Sequence, residues 1–125
     1  MTLVGIGTDL VEISRFQKAL DRQGFAFIET ILTQDEIAYC QKFNDPLPHF
    51  AVRFAAKEAI VKALGTGFRN GLNFQDITIK NDENGKPECF FSEKLKKQFP
   101  NIEMLLSLSH TDNYSLAMAT CTLKE

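Results

Sequence analysis

The sequence predicts a mixed helix-and-strand protein organised around one long helix. Three observations carry this. Residues 50–65 are rich in alanine and contain no helix breaker before Gly65. Thr2 to Asp9 reads as a strand. Beyond the helix the chain is mostly strand-like: Asp76 to Lys80 and Glu88 to Phe91 flank Asn84-Gly85 as a hairpin, and Ile102 to Ser109 and Ser115 to Leu123 follow.

In the first strand Val4, Ile6 and Thr8 share one face, and Leu3, Gly5, Gly7 and Asp9 the other. Two glycines beside Asp9 weaken the strand, and close approach by another backbone or a ligand is a physical reason to find them there. Asp9 either faces that approach or simply ends the strand or caps the next helix. From about Glu12 to Gln23, Ile13, Phe16 and Leu20 recur at helical spacing with Gly24 as the stop. On the other side Arg15, Lys18 and Arg22 line one exposed stripe, which is either a solvated face or a docking surface for an acidic partner.

Phe25 to Leu32 is an apolar stretch that local signals leave unassigned. Thr33 to Glu36 has the Thr-x-x-Glu form of a capping box and opens a short helix through about Phe43, with Ile37 and Cys40 inward. Asn44-Asp45-Pro46-Leu47-Pro48 reads as a loop inside one domain.

In the central helix, Ala51, Ala55, Ala59 and Ala63 form one ridge and Val52, Ala56, Ile60 and Leu64 the next. Glu58 is the anomaly, because its neighbours on the wheel are Ala51, Phe54, Ala55 and Val61, with Lys62 its charged companion. Either the two form an i,i+4 pair contributing a few tenths of a kcal/mol, or Glu58 is a metal ligand and Lys62 an anion contact. The glycine-rich segment Gly65 to Gly71, with Arg69 and Asn70, can bring backbone amides close to a ligand. It is not a P-loop, since its glycines end a helix and no Gly-Lys-Ser/Thr follows. Ser92 caps a short helix through Phe99, and Pro100 ends it.

With 125 residues the chain is expected to be a single domain, residues 1–125, with one core. A formal charge of -2 and a pI near 5.7 argue against a nucleic-acid binder working through a broad basic field. Cys40, Cys89 and Cys121 are odd in number and widely spaced, which indicates neither a disulfide framework nor a zinc site. They read as buried free thiols in a reducing compartment. No signal peptide or membrane-length apolar run is present, so a cytoplasmic protein is expected.

Three separated pieces, Val4-Gly5-Ile6-Gly7-Thr8-Asp9, Arg53-Phe54-Ala55-Ala56-Lys57-Glu58-Ala59 through Lys62-Ala63-Leu64-Gly65, and Ser107-Leu108-Ser109-His110 with Tyr114 and Ala117, together resemble the signature of the 4'-phosphopantetheinyl transferases. The resemblance is specifically to the short bacterial holo-acyl-carrier-protein synthases. It extends over nearly the whole chain, including Leu72 to Ile77 and Gly85-Lys86-Pro87.

This resemblance implies an α+β fold, with the long central helix packed on an antiparallel sheet, and a homotrimer whose active sites lie between subunits. It implies a Mg²⁺-dependent transfer of 4'-phosphopantetheine from coenzyme A to a serine of apo acyl carrier protein, for fatty acid biosynthesis. Asp9 and Glu58 match the family's metal ligands, and with Lys62 make the catalytic set. Arg53, Lys62, Gly65, Gly85, Pro87, His110 and Thr111 match coenzyme A contacts, and Arg15, Lys18 and Arg22 supply the docking stripe for the acidic carrier helix. Two carboxylates suit a hard cation that keeps waters and takes phosphate oxygens. Glu58 itself or a metal-bound water would accept the serine proton. Where relatives often carry a basic cluster for the 3'-phosphate of coenzyme A, residues 44–48 carry none, so either Lys42, His49, Arg53 or Arg69 substitutes or coenzyme A binds more weakly. The alternatives are a non-catalytic binding module on the same scaffold, and a broad-specificity transferase, which the short length disfavours.

Overall fold

A computed structural model describes residues 1–69 and 71–124. In chain order the elements are β1 (Thr2–Glu12), α1 (Ile13–Gln23), α2 (Ala26–Ile31), α3 (Gln34–Cys40), α4 (Leu47–Leu64), a 3-10 turn (Phe74–Asp76), β2 (Ile77–Asn81), β3 (Pro87–Phe91), α5 (Glu93–Gln98), β4 (Ile102–His110) and β5 (Tyr114–Leu123). An antiparallel sheet of order β1-β5-β4 packs against α4, and the β2-β3 hairpin forms a second, two-stranded sheet. This is the expected α+β arrangement.

Helix α4 is buried nearly all round, and its alanine ridge lies on the inner face of the sheet beside Ala117 and Ala119. The glycines of β1 make that possible. A methyl group at Gly5 would sit 1.9 Å from the Ala63 carbonyl oxygen, and one at Gly7 would sit 2.0 Å from that of Ala59. Only a strand without side chains at these points lets a helix backbone approach so closely. The partly exposed stripe of α4 is Phe54, Glu58 and Lys62, one turn apart.

Several local expectations change. β1 runs on to Glu12, and Glu12, not Asp9, occupies the N-cap of α1, so Asp9 is neither a strand end nor a cap. A bulge between Leu3 and Gly5 sets Leu3 opposite Thr122 and Gly5 opposite Cys121, so Leu3 leaves the glycine face and is 62% exposed. Phe25 to Leu32 resolves as α2, whose Ile28 and Ile31 enter the core. Helix α4 begins at Leu47, three residues earlier than expected, because Pro48 falls in its first turn, where a missing N–H costs nothing. The hairpin turn forms as read, with Gly85 at φ 85° and the Asp82 carboxylate accepting from the Asn84 and Lys86 amides. Asn70 of the glycine-rich segment lies outside the described residues.

Candidate active site

Asp9 points from β1 toward α4, where the glycine contact has drawn strand and helix together. Lys62 Nζ reaches across to it, 3.0 Å from Asp9 Oδ1, and also donates to the Thr8 carbonyl oxygen at 2.9 Å. Of the two readings of Glu58, the i,i+4 pair with Lys62 does not form, because the close-packed strand offers the ammonium two acceptors at once. Glu58 keeps no hydrogen bond or ion pair among the described residues. Burial pushes its carboxyl above the usual range, the Asp9 charge adds to that, and Lys62 partly offsets both.

Two neighbouring carboxylates suit a hard divalent ion. Asp9 and Glu58 come from different elements and present only oxygen donors. Among the described residues no group of three or more His, Cys, Asp or Glu could hold a metal, so such an ion would complete its shell with water and substrate oxygens.

Asp9 and Glu58 line a groove of about 790 Å³ whose opposite wall is α1. Arg15, Lys18 and Arg22 all face this groove and are exposed, and none forms an ion pair among the described residues. Phe16, Phe27 and Phe54 furnish its apolar side, with Phe16 and Phe54 ring centroids 5.8 Å apart. The cationic stripe and the carboxylates thus belong to one concavity, which neither segment announces alone.

A second cavity of about 770 Å³ lies between α3, α4 and the β2-β3 hairpin, lined in part by Tyr39, Lys42, Phe43, Arg53 and Gly85. Arg53 is buried, its guanidinium lies 4.5 Å over the Tyr39 ring, and it donates to Asn81 Oδ1 at 2.6 Å. Its Nε has no partner, and no carboxylate pairs with it among the described residues. Of the replacements for the missing basic cluster, Lys42 and Arg53 line this cavity, His49 stacks on Phe43 at 3.6 Å, and Arg69 lies against Gly67. Burial and the nearby Arg53 and His110 lower the His49 pKa, while Asp45 opposes them.

The remaining predicted contacts are dispersed. Gly65, at φ 80°, ends α4; Pro87 opens β3; and His110 and Thr111 sit at the β4-β5 turn, where Thr111 Oγ1 accepts from the Asn113 and Tyr114 amides. Arg53 and Gly85 share one cavity and Asp9 and Glu58 another, so the chain by itself does not gather the whole set. Sequence reading missed the aromatic stack Tyr39–Phe43–His49, although their close spacing around the 44–48 loop was a signal. It also missed the buried pair Lys57–Glu36, since Glu36 registered only as a capping residue.

The sequence matches the 4'-phosphopantetheinyl transferase superfamily over residues 5–119. The chain belongs to this superfamily. Among curated transferases of the family, the holo-[acyl-carrier-protein] synthase of Protochlamydia amoebophila is 45% identical over 119 residues, covering 95% of this chain and 97% of that protein. The synthase of Aliivibrio fischeri is 47% identical, covering 94% and 95%. Solved synthase structures superpose closely: that from Neisseria meningitidis at a TM-score of 0.89 and 36% identity, covering 96% and 98%, and that from Bacillus anthracis, in complex with CoA (3',5'-ADP), at 0.84 and 34%, covering 99% and 100%. The phosphopantetheinyl transferase fold is thus shared over essentially the whole chain.

Proposed function

We propose that this chain transfers the 4'-phosphopantetheine arm of coenzyme A to a serine hydroxyl of apo acyl carrier protein, yielding holo acyl carrier protein and adenosine 3',5'-bisphosphate, for fatty acid biosynthesis. The observation that carries this reading is the meeting of Asp9, which Lys62 pairs with, and Glu58 in a groove walled by Arg15, Lys18 and Arg22, in a chain whose relatives are named for that reaction.

Asp9 and Glu58 would hold Mg²⁺, which when bound supplies positive charge beside the pyrophosphate. Lys62, compact and mobile on its stem, turns from Asp9 to phosphate oxygens as a point charge. The serine oxygen attacks the phosphorus bearing the pantetheine arm. A new O–P bond forms as the pyrophosphate P–O bond breaks, and the bisphosphate leaves with the electron pair. Glu58, which lines the groove and keeps no partner among the described residues, is assigned the serine proton. Arg53, whose buried Nε has no partner, and Gly85 line the cavity assigned to the nucleotide end of coenzyme A, and Arg15, Lys18 and Arg22 receive an acidic carrier surface.

The outer face of the sheet favours assembly. Ile6, Leu10, Leu105, Leu116 and Met118 are exposed there, and the strand register puts them on one side. A contiguous apolar face of this kind marks an interaction surface. A homotrimer in which His110 and Thr111 approach a neighbouring copy's cavity would complete the coenzyme A contacts that one protomer leaves dispersed. The same reading takes residues 1–125 as one transferase domain working in the cytoplasm; among the described residues no helix is long and apolar enough to cross a membrane.

The test is intact-mass spectrometry of apo acyl carrier protein incubated with this protein, coenzyme A and Mg²⁺. One added phosphopantetheinyl group, lost when a chelator is present, is the expected result. No mass gain with folded protein and a competent acceptor would refute the assignment.

A further inference from the structure

Glu58 has no side-chain partner of its own among the described residues, so its place in the groove depends on how α4 is set. Two devices fix that helix. One is the glycine contact with β1, which sets its distance from the sheet at Ala59 and Ala63. The other lies on the opposite side, because Lys57 stands two residues, or about 200°, round the helix from Ala59.

Lys57 is wholly buried with Glu36, its Nζ 2.7 Å from Glu36 Oε1. The ammonium also donates to the Ile31 carbonyl oxygen at 2.9 Å and to that of Phe74 at 3.0 Å. Glu36 Oε1 accepts from the Thr33 amide and Oε2 from the Ile79 amide, both at 2.8 Å. The ammonium's three donors and three of the carboxylate's four lone-pair directions are thus spent, tying the pair to four backbone points at the end of α2, the start of α3, the 3-10 turn and β2.

Stability alone gives little reason for such a pair. Replacing a buried ion pair with apolar groups of similar volume is often neutral or stabilising, because desolvating two charges offsets their attraction. What apolar groups cannot supply is direction. The Glu58 carboxylate lies about 5–6 Å from the helix axis, so a roll of about 10° displaces it by about 1 Å. Misplacement on that scale costs on the order of a hundredfold in rate.

We propose that Lys57 and Glu36 form a positioning pair that sets the roll of α4 and so holds Glu58 opposite Asp9. The inference rests on the function proposed above. Its test compares wild type with the neutral double variant Lys57→Met/Glu36→Gln and with Lys57→Arg, which keeps the charge.

Three quantities are read: kcat and KM for coenzyme A, Mn²⁺ affinity by electron paramagnetic resonance with no substrate present, and the urea midpoint. The double variant is expected to unfold cooperatively, lose ten- to a hundredfold in kcat with KM for coenzyme A little changed, and bind Mn²⁺ at least tenfold more weakly. Lys57→Arg should recover part of both losses. A folded variant with wild-type kcat and Mn²⁺ affinity overturns the proposal. So does failure of both variants to fold, which would make the pair a support of the fold alone. An inactive wild type would instead count against the proposed function, so the two failures are distinguishable.

Discussion

Replacing Gly7 with alanine probes how the two carboxylates come to face each other. The new methyl carbon would lie 2.0 Å from the Ala59 carbonyl oxygen and 2.7 Å from the Ala63 amide nitrogen, where ordinary contact begins near 3.4 Å. Both neighbours are backbone atoms of a buried helix, so no flexible side chain can swing aside. Strand and helix must separate by about 1.4 Å, the shortfall against ordinary contact. Overpacking of this kind costs about 1–3 kcal/mol. The larger effect falls on the groove, because Gly7 is two residues from Asp9 while Ala59 adjoins Glu58. A shift of that size should lower kcat by about a hundredfold. Urea unfolding and carrier-protein modification at saturating coenzyme A read the two effects separately. Gly24→Ala is the control: its methyl meets no atom within 4 Å, though φ is +76° and ψ -174°, so it should lose about 1–3 kcal/mol from backbone strain alone and keep full turnover. A Gly7→Ala protein with wild-type urea midpoint and wild-type kcat would refute the reasoning that this contact assembles the site.

Four further outcomes are expected. Asp9→Ala and Glu58→Ala should each abolish metal-dependent turnover with the fold intact by circular dichroism, and full activity in either would remove that residue from the metal site. KM for carrier protein should rise between low and moderate salt, as screening shortens to about 10 Å at 0.1 M, and charge reversal at Arg15, Lys18 and Arg22 should raise it at least tenfold; a salt-independent KM would detach the stripe from docking. In metal-free protein the Glu58 carboxyl carbon should titrate by NMR with a midpoint above 4.5. The folded pKa being the higher one, its contribution to stability is present below 4.5 and lost as pH rises through the folded value; Lys62→Met should lift the midpoint further and Asp9→Asn bring it down. Finally, burial pushes the Cys40 thiol up to about 11 and Cys89 to about 12, and raises Cys121. At pH 8 roughly one Cys40 in a thousand is then thiolate, so a thiol-specific disulfide reagent should react with all three cysteines only after denaturation.

Much of the fold was legible because its signals are local. The capping box at Thr33 forms with both reciprocal bonds, Ser92 caps α5, and the Asn84-Gly85 turn joins β2 to β3. Phe25 to Leu32 was not legible, since a six-residue helix depends more on the core beneath it than on propensity. The start of α4 was missed for a related reason: a proline signals a break in sequence, yet is harmless in a first turn.

The candidate site divides in the same way. Spacing identified Glu58, with Lys62 one turn on, as a charge out of keeping with its apolar neighbours, and offered close approach as one reason for the glycines beside Asp9, while the family resemblance joined Asp9 to Glu58 and Lys62. The identity of those residue types is set by sequence alone, because a carboxylate on an apolar helix is costly wherever the chain folds it. Which charge meets which was decided only by the tertiary structure. Lys62 has Glu58 one turn away along its own helix but pairs with Asp9, and Glu36 looks complete as a cap but also holds Lys57. Charge interactions depend on distance and burial, and both are properties of packing between elements far apart in the chain.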